Sequence, residues 1–543
     1  MALEYKHKKV LIVDDFSSFR RLMVRMLESL GAKDIDDAYS GDNAISKMQG
    51  KAYDIVLCDY NLGNDKKDGQ QILEEAKHRG LLRYASIFVM LTAENTMPMV
   101  MGAVEYQPDD YLIKPITKDM LTRRLEKIMQ RKSDFQDIEN AVRSKEYIRA
   151  ITMCDERAKD NPKYMLEYLR MKSDLCITTG RYDEAVAVFE EVLSMREISW
   201  AKMGMGKVHF QKGEYVKAKD LFEAVLNDNK TYMEAYDWLA KALQELGALE
   251  DAQKVLLTAT GISPKAILRH QAIGDISSKI GDYDAAAVAF KSAIAIGKHS
   301  CFKSPSYYTG LARTMIKKDS SDEALQVLNS ARHEFKGNRE ALFQTASMEG
   351  IVYKGMDRKE DARKAIQEAT RLLEKLSGKV PVEATMDLAR VCFDLGEKEQ
   401  GMQFIQNIVR NNHDNDNVLE MVQGVFKDAQ LENEGAKIIA ITKNEVIQLN
   451  NQGVRLIEEG KLKDAIEYFE KAADGLPENK IINANAAQAL IMYMQKNGTN
   501  EKYTTLASKY LDRIKSIDPS YDKYQKLLNM YEKVAGAYKG RDE

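Results

Sequence analysis

Five segments of the chain align on one pattern: TGRYDEAVAVFEEVL from residue 179, KGEYVKAKDLFEAVL from 212, LGALEDAQKVLLTAT from 246, IGDYDAAAVAFKSAI from 280 and EGKLKDAIEYFEKAA from 459. In the first four the glycines stand at 180, 213, 247 and 281, at spacings of 33, 34 and 34. Each is followed by Tyr or Leu two residues on, by Ala five on and by Phe or Leu nine on. A small residue (Ser173, Gly206, Ala240 or Gly274) stands seven before it. This is the pattern of a helix–turn–helix: glycine frees the turn, and the small residue on the first helix admits the large one on the second. Prolines at 162, 264, 477 and 519 end units. One such pair cannot bury its apolar face alone, so the period requires stacked neighbours rather than a single core.

A helical period of this length and signature resembles the tetratricopeptide repeat. Weaker copies begin at 320 (SSDEALQVLNSAR), 358 (RKEDARKAIQEAT) and 397 (EKEQGMQFIQNIV), with the period stretched to 38 or 39, and KEYIRAITMCDERAKDNP precedes the strong units. The region 415–445 reads as helical but degenerate, the last unit carries the insert KNGTNEKY, and 521–538 reads as a capping helix. The expectation is about nine to eleven units over 131–520. The resemblance implies an all-α superhelix whose groove binds peptides or helices of other proteins. Asn450, Asn451, Asn483 and Asn485 on first helices are candidates for hydrogen-bonding a bound backbone, with a solvated face as the commoner role of such residues. His209 and His270 read as packing residues. The 26 methionines are read first as core, although they also suit adaptable surfaces.

The first 130 residues follow other rules. KVLIVDD (9–15) is a buried strand ending in two acids, and 17–30 has helical periodicity closed by Gly31. IDDAYS and Gly41 precede a helix at 42–49. YDIVLCD is a third strand, and DGQQILEEAKHRG a helix ended by Gly80. SIFVMLTA (86–93) and DYLIKP supply the fourth and fifth strands. Strands alternating with helices predict an α/β domain built on a doubly wound parallel sheet. In such a sheet the strand C-termini share one edge, where ligands bind. That rule gathers Asp14, Asp15, Asp59, Thr92 and Lys114. Crowded carboxylates repel unless a cation joins them, and oxygen ligands beside a phosphate substrate favour Mg²⁺. One carboxylate can then act as nucleophile toward a phosphoryl group while a lysine ammonium offsets its charge.

These landmarks resemble the receiver domains of two-component response regulators, over about residues 8–128. The resemblance implies a flavodoxin-like five-stranded domain in which Asp59 is the phosphoacceptor. It makes Asp15 a direct Mg²⁺ ligand, Asp14 a water-mediated one, and Asn61 a ligand through its backbone carbonyl. Lys114 would grip the phosphoryl group next to a cis Lys114–Pro115 bond, and Thr92 would swing in to bond the phosphate. Tyr111 would be the rotating aromatic, and Asn61 and Glu94 would tune dephosphorylation. The loop after Asp59 departs from the family: Gly63 stands where proline is common, and Asp68-Gly69 comes about two residues late. For single residues a plainer role stands beside each of these: Tyr111 as a packed sheet aromatic, and Asn61 and Glu94 as loop polars.

Net charge is −3 with both signs interspersed, which offers no footprint for nucleic acid. No apolar run reaches the length of a membrane span, and the N-terminus lacks a signal-peptide core. Cysteines 58, 154, 176, 301 and 392 read as reduced core thiols rather than disulfides or a zinc site. The expected location is cytoplasmic. The expected organisation is a receiver at 1–130, a helical connection with a degenerate repeat at 131–165, strong repeats at 166–298, stretched repeats at 299–445, C-terminal repeats at 446–520 and a cap and tail at 521–543. The segment after Pro115 lacks glycine and proline, so the receiver is expected to lead into the repeats with little slack. The expected function is a phosphorylation-controlled response regulator that signals by protein binding. Its partners would be a histidine kinase or phosphotransfer protein, an unknown protein in the groove, and in some forms a second copy as a homodimer. Phosphorylation would reshape the face of the fourth and fifth strands and fifth helix. The only catalysis expected is self-phosphorylation and self-dephosphorylation. The alternatives are a constitutive scaffold with a docking receiver and, less favoured, a transcriptional regulator.

Overall fold

Short continuous apolar runs, buried on both faces, build the first layer. In the computed structural model, which describes residues 5–63, 65–83, 85–93, 107–376, 382–518 and 521–539, the strands are β1 (Lys9–Val13), β2 (Asp34–Ala38), β3 (Ile55–Asp59), β4 (Ile87–Thr92) and β5 (Asp110–Ile113). They form one parallel sheet in the order β2-β1-β3-β4-β5, with Val10 beside Ile55 and Ile55 beside Ile87. Successive side chains of a strand point to opposite faces. Accordingly Val10, Ile12, Ile55, Leu57, Val89 and Leu91 pack on one side with Met23 and Leu27 of α1 (Ser17–Glu28) and Leu121, Leu125 and Ile128 of the helix Lys118–Arg143. Leu11, Val13, Val56, Cys58, Phe88 and Met90 pack on the other with α2 (Gly41–Gly50) and α3 (Gly69–His78). The acidic edge strand β2 is held by Lys51, which pairs with Asp34 and lies 2.6 Å from Asp36.

The chain divides into two compact units, Met1–Asp174 with Ala185–Tyr307, and Leu175–Glu184 with Tyr308–Glu543. In the first unit the repeats show why the small residues matter. A Cβ on Gly206 would sit 2.6 Å from the Phe222 ring, one on Gly274 2.7 Å from Phe290, and one on Gly204 2.2 Å from Phe189. These are the residues nine after each turn glycine, seated where no side chain opposes them. Arg269, nearly buried, donates to both Asp237 carboxylate oxygens at 2.8 Å and so ties the helix Ile267–Ile280 to Met233–Glu245.

The second unit repeats the device with Gly453 under Phe469 and inverts it at Gly401 under Phe393 and Gly435 under Phe426, where the ring is on the first helix and the glycine on the second. Its turns differ from the strong units. The turn glycines at 180, 213, 247, 281, 396 and 460 have φ between +74° and +83°, whereas Asp319, Asp357 and Gln430 take the equivalent left-handed conformation at +57° to +58°. The stretched spacings of 38, 38 and 39 from Gly281 through Asp319 and Asp357 to Gly396 therefore mark the same turn with a costlier residue. Two expected boundaries meet continuous helices. Lys118–Arg143 runs through residue 130, and Glu432–Glu458 runs through 445. Neither stretch contains proline, and no left-handed residue interrupts either. Asn483 is fully buried and donates to the carbonyls of Pro477 and Asn479 at 3.1 and 2.8 Å, and Asn485 donates to Asn450 at 2.5 Å. Those amides satisfy their own turn and neighbouring helix. Asn451 is exposed. No helix among the described residues is long and apolar enough to cross a membrane.

Candidate functional site

Parallel strands deliver their last residues to one edge, and four of the five do so here. Asp14 follows β1 and is fully buried, with its Oδ1 accepting from the Phe16 backbone N–H at 2.8 Å. Asp59 ends β3 and is 6% exposed, and Thr92 ends β4 at 2%. Lys114 follows β5, its backbone N–H donating to the Thr92 carbonyl at 2.7 Å, and the Lys114–Pro115 bond is cis. The Lys114 ammonium donates to Asp14 Oδ2 at 2.7 Å and to Asp59 Oδ2 at 2.9 Å, and lies 4.1 Å from the centre of the Phe19 ring.

Carboxylate oxygens of Asp14, Asp15 and Asp59 all lie within 4.8 Å of one another. Burial pushes the Asp59 carboxyl up to about 6; the Lys114 hydrogen bond works against that rise and the Asp14 charge adds to it. Burial disfavours the charge on Lys114, yet the hydrogen bonds to Asp14 and Asp59 outweigh it and raise its pKa. The Asp15 Oδ1 atom is buried and has no hydrogen-bond partner. A buried carboxylate oxygen in that condition is costly, and a hard divalent cation between the three acids would satisfy it. The donor set thus fits Mg²⁺.

The wall of the pocket is set by a glycine. A Cβ on Gly69 would lie 2.3 Å from the Asp59 carbonyl oxygen and 2.9 Å from Met90 Sδ, so α3 can start against Asp59 only with glycine there. Asp68 caps α3 in a reciprocal capping box with Gln71. Asn61 is exposed, and its side-chain oxygen accepts from Gly63 N–H at 3.1 Å. Tyr111, half-buried in β5, packs against the cluster on the α2–α3 side of the sheet. Glu94 lies outside the described residues. Two contributors carry no sequence signal of their own. Phe19 faces Lys114, and Arg20 donates to the backbone carbonyls of Asp14 and Asp15 at 2.7 and 3.2 Å while pairing with Asp37 at 2.6 Å. Both stand in the first turn of α1, and only the folded sheet shows what they touch.

The doubly wound sheet with an acidic trio and a lysine on its C-terminal edge defines a receiver-type domain. Residues 10–126 match the response regulator receiver domain family, and residues 166–198 and 209–273 match tetratricopeptide repeat families. Chemotaxis protein CheY-3 of Vibrio cholerae serotype O1 is 32% identical over 134 residues, covering 24% of this chain and 98% of CheY-3. Chemotaxis protein CheY of Pseudomonas aeruginosa is 29% identical over 123 residues, 23% of this chain and 97% of CheY. Among solved structures, MamA aligns at 20% identity and a TM-score of 0.30, covering 34% of this chain and 98% of MamA. The chain belongs to the CheY-like response regulator receiver family through its N-terminal quarter, and tetratricopeptide repeats follow.

Proposed function

We propose that the chain is a phosphorylation-controlled response regulator in which Asp59 accepts a phosphoryl group and the repeats carry the output by binding protein. The observation that carries this reading is the shared ammonium of Lys114, held between Asp14 and Asp59 at 2.7 and 2.9 Å. A nucleophilic carboxylate with a cation already on one oxygen has its other oxygen available for in-line attack on phosphorus. An Asp59 oxygen forms the new P–O bond as the P–N bond to a phosphohistidine donor breaks, and the pair of electrons leaves on the imidazole nitrogen. Lys114 then offsets charge on the transferred oxygens, and Thr92, at the adjoining strand end, offers its hydroxyl to one of them. Asp14, Asp15 and Asp59, with the Asn61 backbone carbonyl, would hold Mg²⁺, which supplies charge neutralisation to the phosphoryl oxygens. Asn61 and Glu94 would tune loss of the phosphoryl group, and Tyr111 would follow Thr92 inward, reshaping the face of β4, β5 and the helix Lys118–Arg143.

The donor is a histidine kinase or histidine phosphotransfer protein, and the output partner binds the repeat helices. The test is phosphorylation of the full chain by acetyl phosphate with Mg²⁺, read on a phosphate-affinity gel. A shifted band that Asp59→Asn, Lys114→Ala and EDTA each abolish supports the reading. A band that persists in Asp59→Asn overturns it.

A further inference from the structure

The loop after Asp59 touches the repeats of the same compact unit through Asp65 and Asp68. Asp65, held at φ +54°, points both carboxylate oxygens at the Lys298 ammonium, 2.8 Å from each, and lies 3.2 Å from His299 Nε2. Asp68, the cap of α3, accepts from Lys265 at 2.8 Å, and the same ammonium lies 5.1 Å from the centre of the buried Tyr60 ring. Beyond the loop, Gln71, Glu74 and His78 form one stripe of α3 at helical spacing. Gln71 donates to the Ile296 carbonyl at 3.2 Å, Ser300 Oγ donates to the buried Glu74 at 2.6 Å, and His78 meets the Phe302 ring edge-on at 5.3 Å. Charge is complementary at two points of the contact, where Asp65 faces Lys298 and Asp68 faces Lys265.

This face is mechanically tied to the pocket. Tyr60 follows Asp59 directly, Gly69 N–H donates to the Tyr60 carbonyl at 2.8 Å, and the start of α3 abuts the Asp59 backbone too closely for any Cβ at Gly69. Exposed ion pairs such as Asp65–Lys298 hold weakly, so the buried Glu74–Ser300 bond and the Lys265–Tyr60–Asp68 cluster hold the contact and the outer pair sets its register.

We propose that the loop after Asp59 and α3 are the receiver's docking face for its own repeats, and that this contact couples occupancy of the Asp59 pocket to the repeat turn 296–302. The inference rests on Asp59 being the phosphoacceptor. Coupling between sites is reciprocal, so loosening the repeat side must change what the pocket binds, although none of the altered residues belongs to it.

The test uses the full chain with Mg²⁺ and beryllofluoride as the phosphoryl mimic. Hydrogen exchange is followed at 55–63 and at 296–302, and beryllofluoride affinity is measured in the wild type, in Lys265→Ala/Lys298→Ala/Ser300→Ala, and in Lys265→Arg/Lys298→Arg as the charge-keeping control. The expected result is altered exchange at both segments in the wild type. The triple variant should show an affinity change of about fivefold or more, the lower end of common couplings, and the control should stay near wild type. If 55–63 responds but 296–302 does not, and the triple variant's affinity is unchanged, the coupling is wrong while the phosphoacceptor reading stands. If 55–63 itself does not respond in the wild type, that reading fails and the coupling fails with it.

Discussion

Replacing Asp59 by Asn removes a charge that the fold holds at a cost, and the cost can be worked from the pocket. The Asp59 carboxyl titrates at about 6 in the folded chain against an ordinary value of 3.8, because burial outweighs the Lys114 ammonium. Between those two values the folded chain binds a proton that the unfolded chain has released. Stability therefore falls as pH rises through the window, and below it the penalty is absent. A difference of about two units at 1.36 kcal/mol each corresponds to about 3 kcal/mol at pH 7.5 and about half of that at pH 5. Asn keeps the shape and drops the charge, while Lys114 retains Asp14 as a partner at 2.7 Å. Asp59→Asn should thus stabilise the receiver in EDTA by a few kcal/mol at pH 7.5, on the order of the penalty removed, and by little near pH 4. Mg²⁺ should shrink the gap, since on the proposed site it would bind the folded wild type through the very carboxylate that the variant lacks. The assay is hydrogen exchange at Val10–Val13 and Ile55–Cys58 of the full chain, which reports opening of the receiver core without requiring the rest to unfold. A variant no more stable than wild type at pH 7.5 in EDTA would refute the reasoning, because Lys114 would then outweigh burial. So would a gain that is the same at pH 4 and pH 7.5.

Three further outcomes follow from the packing. Gly274→Ala places a Cβ 2.7 Å from Phe290 Cε1 and Cζ and should cost about 1–3 kcal/mol, as overpacking of a filled site does, read as a lowered urea midpoint of the repeat helices. Gln430→Gly relieves a left-handed turn at φ +57° and should raise stability by about 1 kcal/mol; a loss on denaturant unfolding would mean that the side chain outweighs the backbone strain. Gly69→Ala drives a Cβ to 2.3 Å from the Asp59 carbonyl oxygen, and phosphorylation by acetyl phosphate should fall at least tenfold on the order of a 1.4 kcal/mol displacement of the nucleophile.

What could be read without coordinates follows the range of the forces involved. Short apolar runs and the glycine turns are local, so the five strands and the strong repeats stand in the sequence within a residue or two. The pocket is non-local, yet a parallel sheet obeys a simple rule about strand ends, and that rule alone brings Asp14, Asp59, Thr92 and Lys114 to one edge. Local signals fail where a costlier residue substitutes for the expected one. Asp319, Asp357 and Gln430 turn the chain as glycine does, at +57° to +58°, and only their spacing betrays them. The bounds at 130 and 445 fall inside the helices Lys118–Arg143 and Glu432–Glu458.

Partner choice across the contact of the receiver with its repeats lies beyond any local pattern. No local pattern singles out Asp65, Lys265 or Lys298, yet the chain brings residues 233 and 197 positions apart to 2.8 Å. Yet the anomaly itself was legible. Gly63 and the late Asp68-Gly69 mark this loop in the sequence, and its acids Asp65 and Asp68 meet Lys298, His299 and Lys265. The proposed site chemistry calls on Asp59, its acidic neighbours and Lys114. Asp65 and Asp68 stand outside that chemistry, and what they reach is Lys298 in the repeat turn and Lys265.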